Sequence, residues 1–544
     1  MRRSLLTLIL LSCCTFFLGL GRPAISDSNE GFYAEAAREM VEGGDWLTPH
    51  FNYEERWQKP ILYYWLTAAT YAAFGESEWA ARWWSALSGL GLVLLTWFAA
   101  RSLAGRDDAA WLAGAIAATC YGYFAMARLA LPDLPLTFFI TLTIWSAFTE
   151  RWLMAGAAAG LGLLMKGPVA LVIPGLVLAP VWWRERRFST GAQALRRLPL
   201  KGIALAALVC MVVSLPWYAA MTLEHGAAYL QSFVVGDNLE RFATDRFNEP
   251  RAIWFYFPIV LGGMIPWSIY MMALPWRSVA RVVRRQRTLT QAEWRLLLWA
   301  ALPLLFFTIS IGKQPRYILP VLPPLAILVA RSIATRIADS GRGPALAAAT
   351  WGTAAFYAAI AVLLYRAQPL FISTYPALTV LAIIVITAAA AMLAWTAKSQ
   401  RWTRLPAVAA VTAVLLLLSF QFGALAGVRP EPVERMATLI RQNRHANEPV
   451  GTYQAFVRNL VFYSRFKHVD LYDEGVALTF LKSPERVLLV MRAADLPRIQ
   501  AIAGIPVRPI AELQYLNAAG VRLRTVLSPI PAQDFETILL VTNR

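Results

Sequence analysis

The chain has 544 residues, 58% of them hydrophobic and 15% charged, with 21 tryptophans and a mean hydropathy of +0.49. Such a length and apolar content exclude a single soluble domain and describe a polytopic α-helical membrane protein. The formal charge of +18 does not point to a nucleic-acid partner, because arginine falls mainly in short loops between apolar runs, where membrane topology and anionic headgroups account for it.

In chain order, Arg2 and Arg3 followed by the apolar run 5–20 predict an uncleaved first span with a cytoplasmic N-terminus. A polar loop, residues 21–77, follows it. Further spans are expected at 78–102, 109–128, 133–149, 152–165, 168–183, 203–221, 253–275, 294–312, 316–334, 345–365, 374–396 and 404–427. Several are shorter than the ~20 residues of a perpendicular spanning helix.

The apolar stretch 61–74 is placed in the outer interface. If it crossed, the arginine clusters at 184–201, 277–287, 331–342 and 398–404 would all face outward, against the positive-inside rule. About thirteen spans result, each requiring ~20 apolar residues when upright. Residues 1–429 then form the transmembrane domain.

Residues 430–544 read as a small α/β domain on the outer side, with strands near 450–453, 469–472, 487–490, 521–527 and 538–541 and a helix over 434–443. Its His445 and His468 have no partner at metal-ligand spacing and read as surface histidines. All four cysteines, Cys13, Cys14, Cys120 and Cys210, lie in apolar segments, so neither a disulfide framework nor a thiolate metal site is expected.

This topology gathers the polar clusters on one face. Asp27-x-x-Glu30 before a helical pattern fits an N-terminal capping arrangement, and Glu35 with Arg38 fits a helix-surface pair. Glu54, Glu55, Arg56 and Lys59 at the same mouth go beyond what a cap needs. Carboxylates beside cations at a membrane surface suit group transfer from a lipid-linked phosphate: the cations neutralise the leaving phosphate, and a carboxylate takes the proton of the attacking hydroxyl. The bland readings are snorkelling for Lys59, Lys313 and Arg316, and a helix cap or an Arg128–Asp133 salt bridge for Asp133. A transporter would instead place ionisable groups mid-membrane, whereas these lie at span ends.

The run Asn29-Glu30-Gly31-Phe32-Tyr33-Ala34-Glu35-Ala36-Ala37-Arg38-Glu39-Met40, then Gly44-Asp45-Trp46-Leu47-Thr48-Pro49 and Lys59-Pro60-Ile61-Leu62-Tyr63-Tyr64-Trp65, resembles the first outer loop of the aminoarabinose transferases of lipid A. That group belongs with the protein O-mannosyltransferases among the C-type glycosyltransferases. Arg128-Leu129-Ala130-Leu131-Pro132-Asp133, Lys166-Gly167-Pro168 and Gly312-Lys313-Gln314-Pro315-Arg316-Tyr317-Ile318-Leu319-Pro320 recur in the same order.

The resemblance implies an inverting, monomeric glycosyltransferase of the bacterial inner membrane with a periplasmic C-terminal domain. Its donor would be a polyprenyl-phosphate-linked sugar, 4-amino-4-deoxy-L-arabinose or similar on undecaprenyl phosphate, and its acceptor lipid A or another lipid or glycan. It implies carrier-phosphate contacts from Arg56, Lys59, Arg251, Lys313 and Arg316, and a pocket shaped by Tyr33, Tyr63, Lys166, Arg241 and Tyr317. Catalysis falls to Asp27, Asn29, Glu30 and Asp133, and residues 222–252 resemble the acceptor-side loop.

Two positions depart from the family. Asn29 stands where its catalytic Asp precedes Glu, and asparagine cannot act as a base; Asp27 is the expected substitute, with Glu30 as the alternative. Gln58 replaces the acidic residue before Lys-Pro, and His225 falls early in its loop, so the family's divalent metal ion lacks its expected ligands here. No other cofactor is implied. Transfer to Ser or Thr of a polypeptide, and a non-catalytic homologue, are the alternative readings.

Overall fold

The computed structural model describes residues 2–188, 199–240, 244, 251–274, 288–339, 344–370, 376–425, 429–445, 447–517 and 520–544. Helix α1, Arg2–Ser12, runs into a π-helical turn, Cys13–Phe17. Helix α2, Asn29–Gly43, is capped by Ser28, whose side chain accepts from the Glu30 N–H, and it stops where Gly44 takes φ 71°, a conformation that glycine adopts without steric cost.

Helix α3, Leu62–Phe74, has 13 residues, about 20 Å at 1.5 Å per residue, and is too short for a ~30 Å hydrocarbon core. It packs between α2 and α4, Glu78–Ala104.

The expected span 109–128 is two helices, α5, Asp107–Thr119, and α6, Tyr121–Ala127, bent by 52°. The break is at Cys120, which is extended, and the Tyr121 N–H donates instead to the Ile265 carbonyl. Helices α7, Asp133–Phe148, α8, Trp152–Lys166, α9, Val169–Phe188, and α10, Leu200–Leu230, follow. Gly156 and Gly160 of α8 allow α10 to approach closely: a Cβ at either would meet the backbone at Ala206 or Cys210.

The expected span 253–275 is interrupted into Ile253–Phe255, Tyr256–Gly263 and Trp267–Ala273, with Pro266, which has no N–H to donate, at the last junction. Among the described residues, seven helices are long and apolar enough to cross a membrane, or eight if the bent α5–α6 pair is one span. Helices α7, α8 and residues 253–263 are apolar but shorter.

The C-terminal region contains a five-stranded mixed sheet in the order β4-β3-β5-β7-β6. Its strands are β3, Val450–Thr452, β4, Val469–Asp470, β5, Leu488–Arg492, β6, Arg508–Tyr515, and β7, Glu536–Thr542; the pair β1, His50–Phe51, and β2, Glu54–Glu55, forms a hairpin in the first loop. Strand β3 runs parallel to β4 and β5, and β7 antiparallel to β5 and β6.

Alternation along β5 splits the core of this region. Leu488 and Val490 join Val433, Met436 and Ile440 of the helix Pro432–Asn443 on one face, whereas Leu489 and Met491 join Leu481 and Ile499 on the other.

Two expectations change here. Residues 521–527 are not a strand: Leu523–Leu527 is a single helical turn, in contact with the helix Pro344–Ala367. The fifth strand is β6, disguised by Pro509, which is tolerated because β6 lies at the sheet edge and carries an irregularity between Pro509 and Ala511. His468 is also not a surface residue: it is buried, its Nε2 lies 2.7 Å from Ser464 Oγ, and burial, with a smaller contribution from Arg444, lowers its pKa to about 3.

Candidate active site

The polar stretch after the first span folds around one buried ion pair. Arg82 of α4 donates from Nε to Glu30 Oε1 at 2.7 Å and from Nη2 to Oε2 at 3.2 Å, and its remaining N–H groups reach the carbonyls of Leu20, Pro23 and Ala24. Glu30 also accepts from the Ser26 N–H, the Ser26 hydroxyl and the Ala130 N–H. Burial alone would raise its pKa, but the charge and hydrogen bonds of Arg82 and the two backbone N–H groups outweigh that and hold it below the usual range. With both oxygens engaged, Glu30 ties the first loop to the corner before Asp133 and presents no free oxygen to a substrate.

A cavity of about 890 Å³ opens beside this tie. Five cationic side chains line it, Arg56, Lys59, Lys166, Arg316 and Arg458, together with two acidic ones, Asp133 and Asp237. Asn29, Tyr33 and Tyr317 also line it.

Asp133, at the start of α7, is buried and ion-paired to Lys166, with Arg316 Nε 3.5 Å from its other oxygen. Gly167 at φ 96° and Pro168 divide α8 from α9, which leaves Lys166 as the last residue of α8, and its ammonium also lies 4.8 Å from the Tyr317 ring centre. Lys59 pairs at 2.9 Å with Asp237, on the π-helical segment Gln231–Glu240. The Arg56 guanidinium covers the Phe32 ring at 4.0 Å. Arg56 Nε and Arg316 Nε are buried without a hydrogen-bond partner among the described residues, Arg316 Nε having the Asp133 carboxylate at ion-pair distance. Leu136, Ile140, Val169, Val172, Phe306 and Phe307 supply apolar lining to the same cavity.

Several sequence-expected residues lie elsewhere. Asp27 does not cap α2, a role that Ser28 takes; it does not line the cavity, and its Oδ1 accepts from the Arg458 N–H at 2.8 Å. Tyr63 is buried between α3 and α4, its hydroxyl 2.9 Å from Ser85 Oγ. Lys313 donates to the Ser310 carbonyl at 2.6 Å, at the end of the helix Gln291–Ile309, rather than into the cavity. Arg251 is exposed and outside the lining; Arg241 lies outside the described residues.

The Arg128–Asp133 salt bridge does not form, because Arg128 turns to Gln421 and the Thr15 carbonyl while Asp133 faces Lys166. The Glu35–Arg38 pair does form, at 2.6 Å, but inside the protein rather than on a helix surface. Next to it Glu39 accepts from the Tyr53 N–H in the β1–β2 turn, and burial together with the Glu35 charge pushes its pKa up to about 8.

Two residues of the site had no sequence signal. Arg458 sits between Val457 and Asn459 in the tail and reaches the cavity only because the C-terminal region is seated on the first loop. Tyr463, Asn459 and Glu431 all bond the 24–25 backbone, and the Asn52 side chain is bonded to the His468 backbone through both its oxygen and its nitrogen. Asp237 lies in the 222–252 loop, but nothing in its spacing marks it as the partner of Lys59.

For a metal, the described residues contain no group of three His, Cys, Asp or Glu side chains. His225 does meet the first loop, with Nδ1 3.8 Å from Glu55 and Nε2 2.8 Å from Thr48 Oγ1.

Residues 9–225 match a family model described as dolichyl-phosphate-mannose-protein mannosyltransferase. The chain is similar to the undecaprenyl phosphate-alpha-4-amino-4-deoxy-L-arabinose arabinosyl transferase of Pseudomonas aeruginosa (strain LESB58), 34% identical over 349 residues, 62% of this chain and 61% of that relative. The corresponding transferase 2 of Proteus mirabilis (strain HI4320) is 31% identical over 60% of this chain and 58% of its own length. These matches therefore span less than two thirds of the relatives' length.

Among solved structures, ArnT from Cupriavidus metallidurans, crystallised with undecaprenyl phosphate, superposes with a TM-score of 0.73 at 22% identity, covering 99% of this chain and 98% of that one. The Archaeoglobus fulgidus oligosaccharyltransferase superposes with a TM-score of 0.57 at 13% identity over 92% of this chain and 70% of that one. The chain therefore shares the fold of these solved structures, and its first 225 residues carry the similarity to the mannosyltransferase family model.

Proposed function

We propose that this protein is an integral-membrane, inverting glycosyltransferase that moves an aminoarabinose-type sugar from undecaprenyl phosphate to lipid A or another extracytoplasmic lipid or glycan. The observation that carries the reading is the composition of the cavity, whose lining combines five cationic side chains with an apolar set. A lipid phosphate has the same two parts, and no soluble nucleotide sugar needs the apolar one. The similar P. aeruginosa and P. mirabilis proteins, arabinosyl transferases of undecaprenyl phosphate-alpha-4-amino-4-deoxy-L-arabinose, support the same donor and sugar.

In this reading Lys59, Arg56 and Arg316 hold the donor phosphate and neutralise the charge that develops as its bond to the sugar C1 breaks. The acceptor oxygen attacks C1 from the opposite side, and Asp133 receives its proton, moving the base role from Asp27 to a carboxylate on the cavity wall. Lys166 and Arg316 keep Asp133 oriented in the ionised form. Tyr33 and Tyr317 flank the sugar, Asn29 orients it by hydrogen bonding, and Arg458 closes the outer side. The proposed setting is the bacterial inner membrane, with about thirteen crossings or near-crossings of a ~30 Å core, a cytoplasmic N-terminus and a periplasmic domain from residue 430. Protein O-glycosylation is the second reading, favoured by the family model over residues 9–225.

Purified protein in proteoliposomes, given radiolabelled undecaprenyl-phosphate aminoarabinose with lipid A or with a Ser/Thr-rich polypeptide, tests this directly. Label reaching lipid A, lost in Asp133→Asn and kept in Asp27→Asn, is the expected result. Label on the polypeptide alone selects the second reading, and retention by Asp133→Asn removes its base role.

A further inference from the structure

Among its described residues, the C-terminal region exposes a concentrated apolar surface. Within ten residues, Val521, Leu523, Leu527 and Ile530 are all exposed, Leu523 by 68%. This surface adjoins the end of the helix Pro344–Ala367, where Arg366 Nε donates to the Leu527 carbonyl at 3.0 Å. That helix is long and apolar enough to span a membrane, and its last turns expose Val362 and Tyr365 outward. Apolar residues turned outward on a spanning helix face lipid, so the 521–530 patch continues a lipid-facing surface past the end of a span. Arg522 and Arg524 are exposed on the same turn, Arg524 paired with Asp534 at 2.6 Å.

We propose that residues 521–530 dock the C-terminal domain into the headgroup and upper acyl region of the membrane leaflet beside the helix Pro344–Ala367. Leu523, Leu527 and Ile530 enter the leaflet, and Arg522 and Arg524 meet anionic headgroups. An interfacial anchor is built this way: a small apolar face flanked by basic residues, lying on the membrane rather than crossing it. It also accounts for the sequence pattern at 521–527, which alternates as a strand would but is left outside the sheet. The domain is then held both by the 24–27 segment of the first loop and by the leaflet. The inference requires only that the helix Pro344–Ala367 spans the membrane, and it does not depend on the sugar or the acceptor.

The test uses full-length protein in nanodiscs of phosphatidylethanolamine and phosphatidylglycerol. The variants Leu523→Cys, Ile530→Cys and Tyr472→Cys each carry an environment-sensitive fluorophore, and labelled unmodified protein corrects for the four native cysteines. Tyr472, 81% exposed, is the reference on the same domain. Lipids bearing a quencher near the headgroup should quench the fluorophore at 523 and at 530 at least about twofold more than at 472, as contact with an interfacial segment requires. Quenching at either position no stronger than at 472 overturns the proposal.

Discussion

Lys59 Nζ and Asp237 Oδ1 lie 2.9 Å apart in the wall of the cavity, so a carboxylate of the protein occupies the cation that a donor phosphate would need. Asp237 belongs to the segment that follows Gly226, whose φ of 61° interrupts α10. A phosphate entering the site therefore competes with Asp237. Asp237→Asn is expected to tighten binding of undecaprenyl phosphate, and Lys59→Ala to weaken it by roughly ten- to a hundredfold, the range for losing a charge-assisted hydrogen bond. Equilibrium binding to both variants in detergent measures this, and weaker binding by Asp237→Asn would mean that the pair supports the site instead of competing for it.

Glu30 and Arg82 form a buried pair whose hydrogen bonds are all internal. Removing one partner strands the other, at a cost of about 3–5 kcal/mol. Glu30→Ala should therefore lower the thermal stability of the whole membrane domain and reduce its accumulation, whereas Tyr317→Phe at the cavity wall should leave both unchanged. Thermal unfolding followed by size-exclusion chromatography separates the two outcomes.

Gly31 is where α2 meets the C-terminal region, since a Cβ there would overlap the carbonyl of Arg458. Gly31→Ala should push the segment carrying Arg458 away from the cavity while the bundle stays folded. The expected result is lost transfer activity with near-normal expression, and faster proteolysis of the seam between the first loop and the tail. Unchanged proteolysis would show that the seam absorbs a methyl group without separating.

His468 gives the domain a pH dependence of known sign. Its folded pKa, about 3, lies below the ordinary 6.5, so the unfolded state binds the proton first. Stability is fully present above about pH 6.5 and is lost as pH falls from there toward 3, by at most about 1.4 kcal/mol per pH unit for one group. His468→Gln should flatten that part of the stability profile, measured as the midpoint of C-terminal domain unfolding between pH 7 and 4. An unchanged slope would place the acid sensitivity elsewhere.

Composition and pattern alone determined the class of this protein. Apolar runs with arginine-rich breaks specify membrane helices because an unsatisfied backbone group in hydrocarbon costs several kcal/mol. Among the described residues, seven of these runs are helices long enough to span, and the motifs read in chain order supplied Lys59, Asp133, Lys166, Arg316 and Tyr317, which lie at one cavity.

Tertiary structure decided which charges face that cavity. Glu30 and Asp27 stand one and two residues from Asn29 in sequence, yet one is consumed by Arg82 and the other by the backbone of Arg458. Lys313 precedes Arg316 by three residues and bonds to a helix-end carbonyl instead. Arg458 and Asp237 enter from segments hundreds of residues away from Asn29. Local sequence sets helix ends and apolar faces, through interactions within a few residues. The partner of a charge is fixed by whatever the fold brings within about 4 Å, because in a low-dielectric interior an ion must be paired by its nearest opposite charge or polar group, whatever its position in the chain.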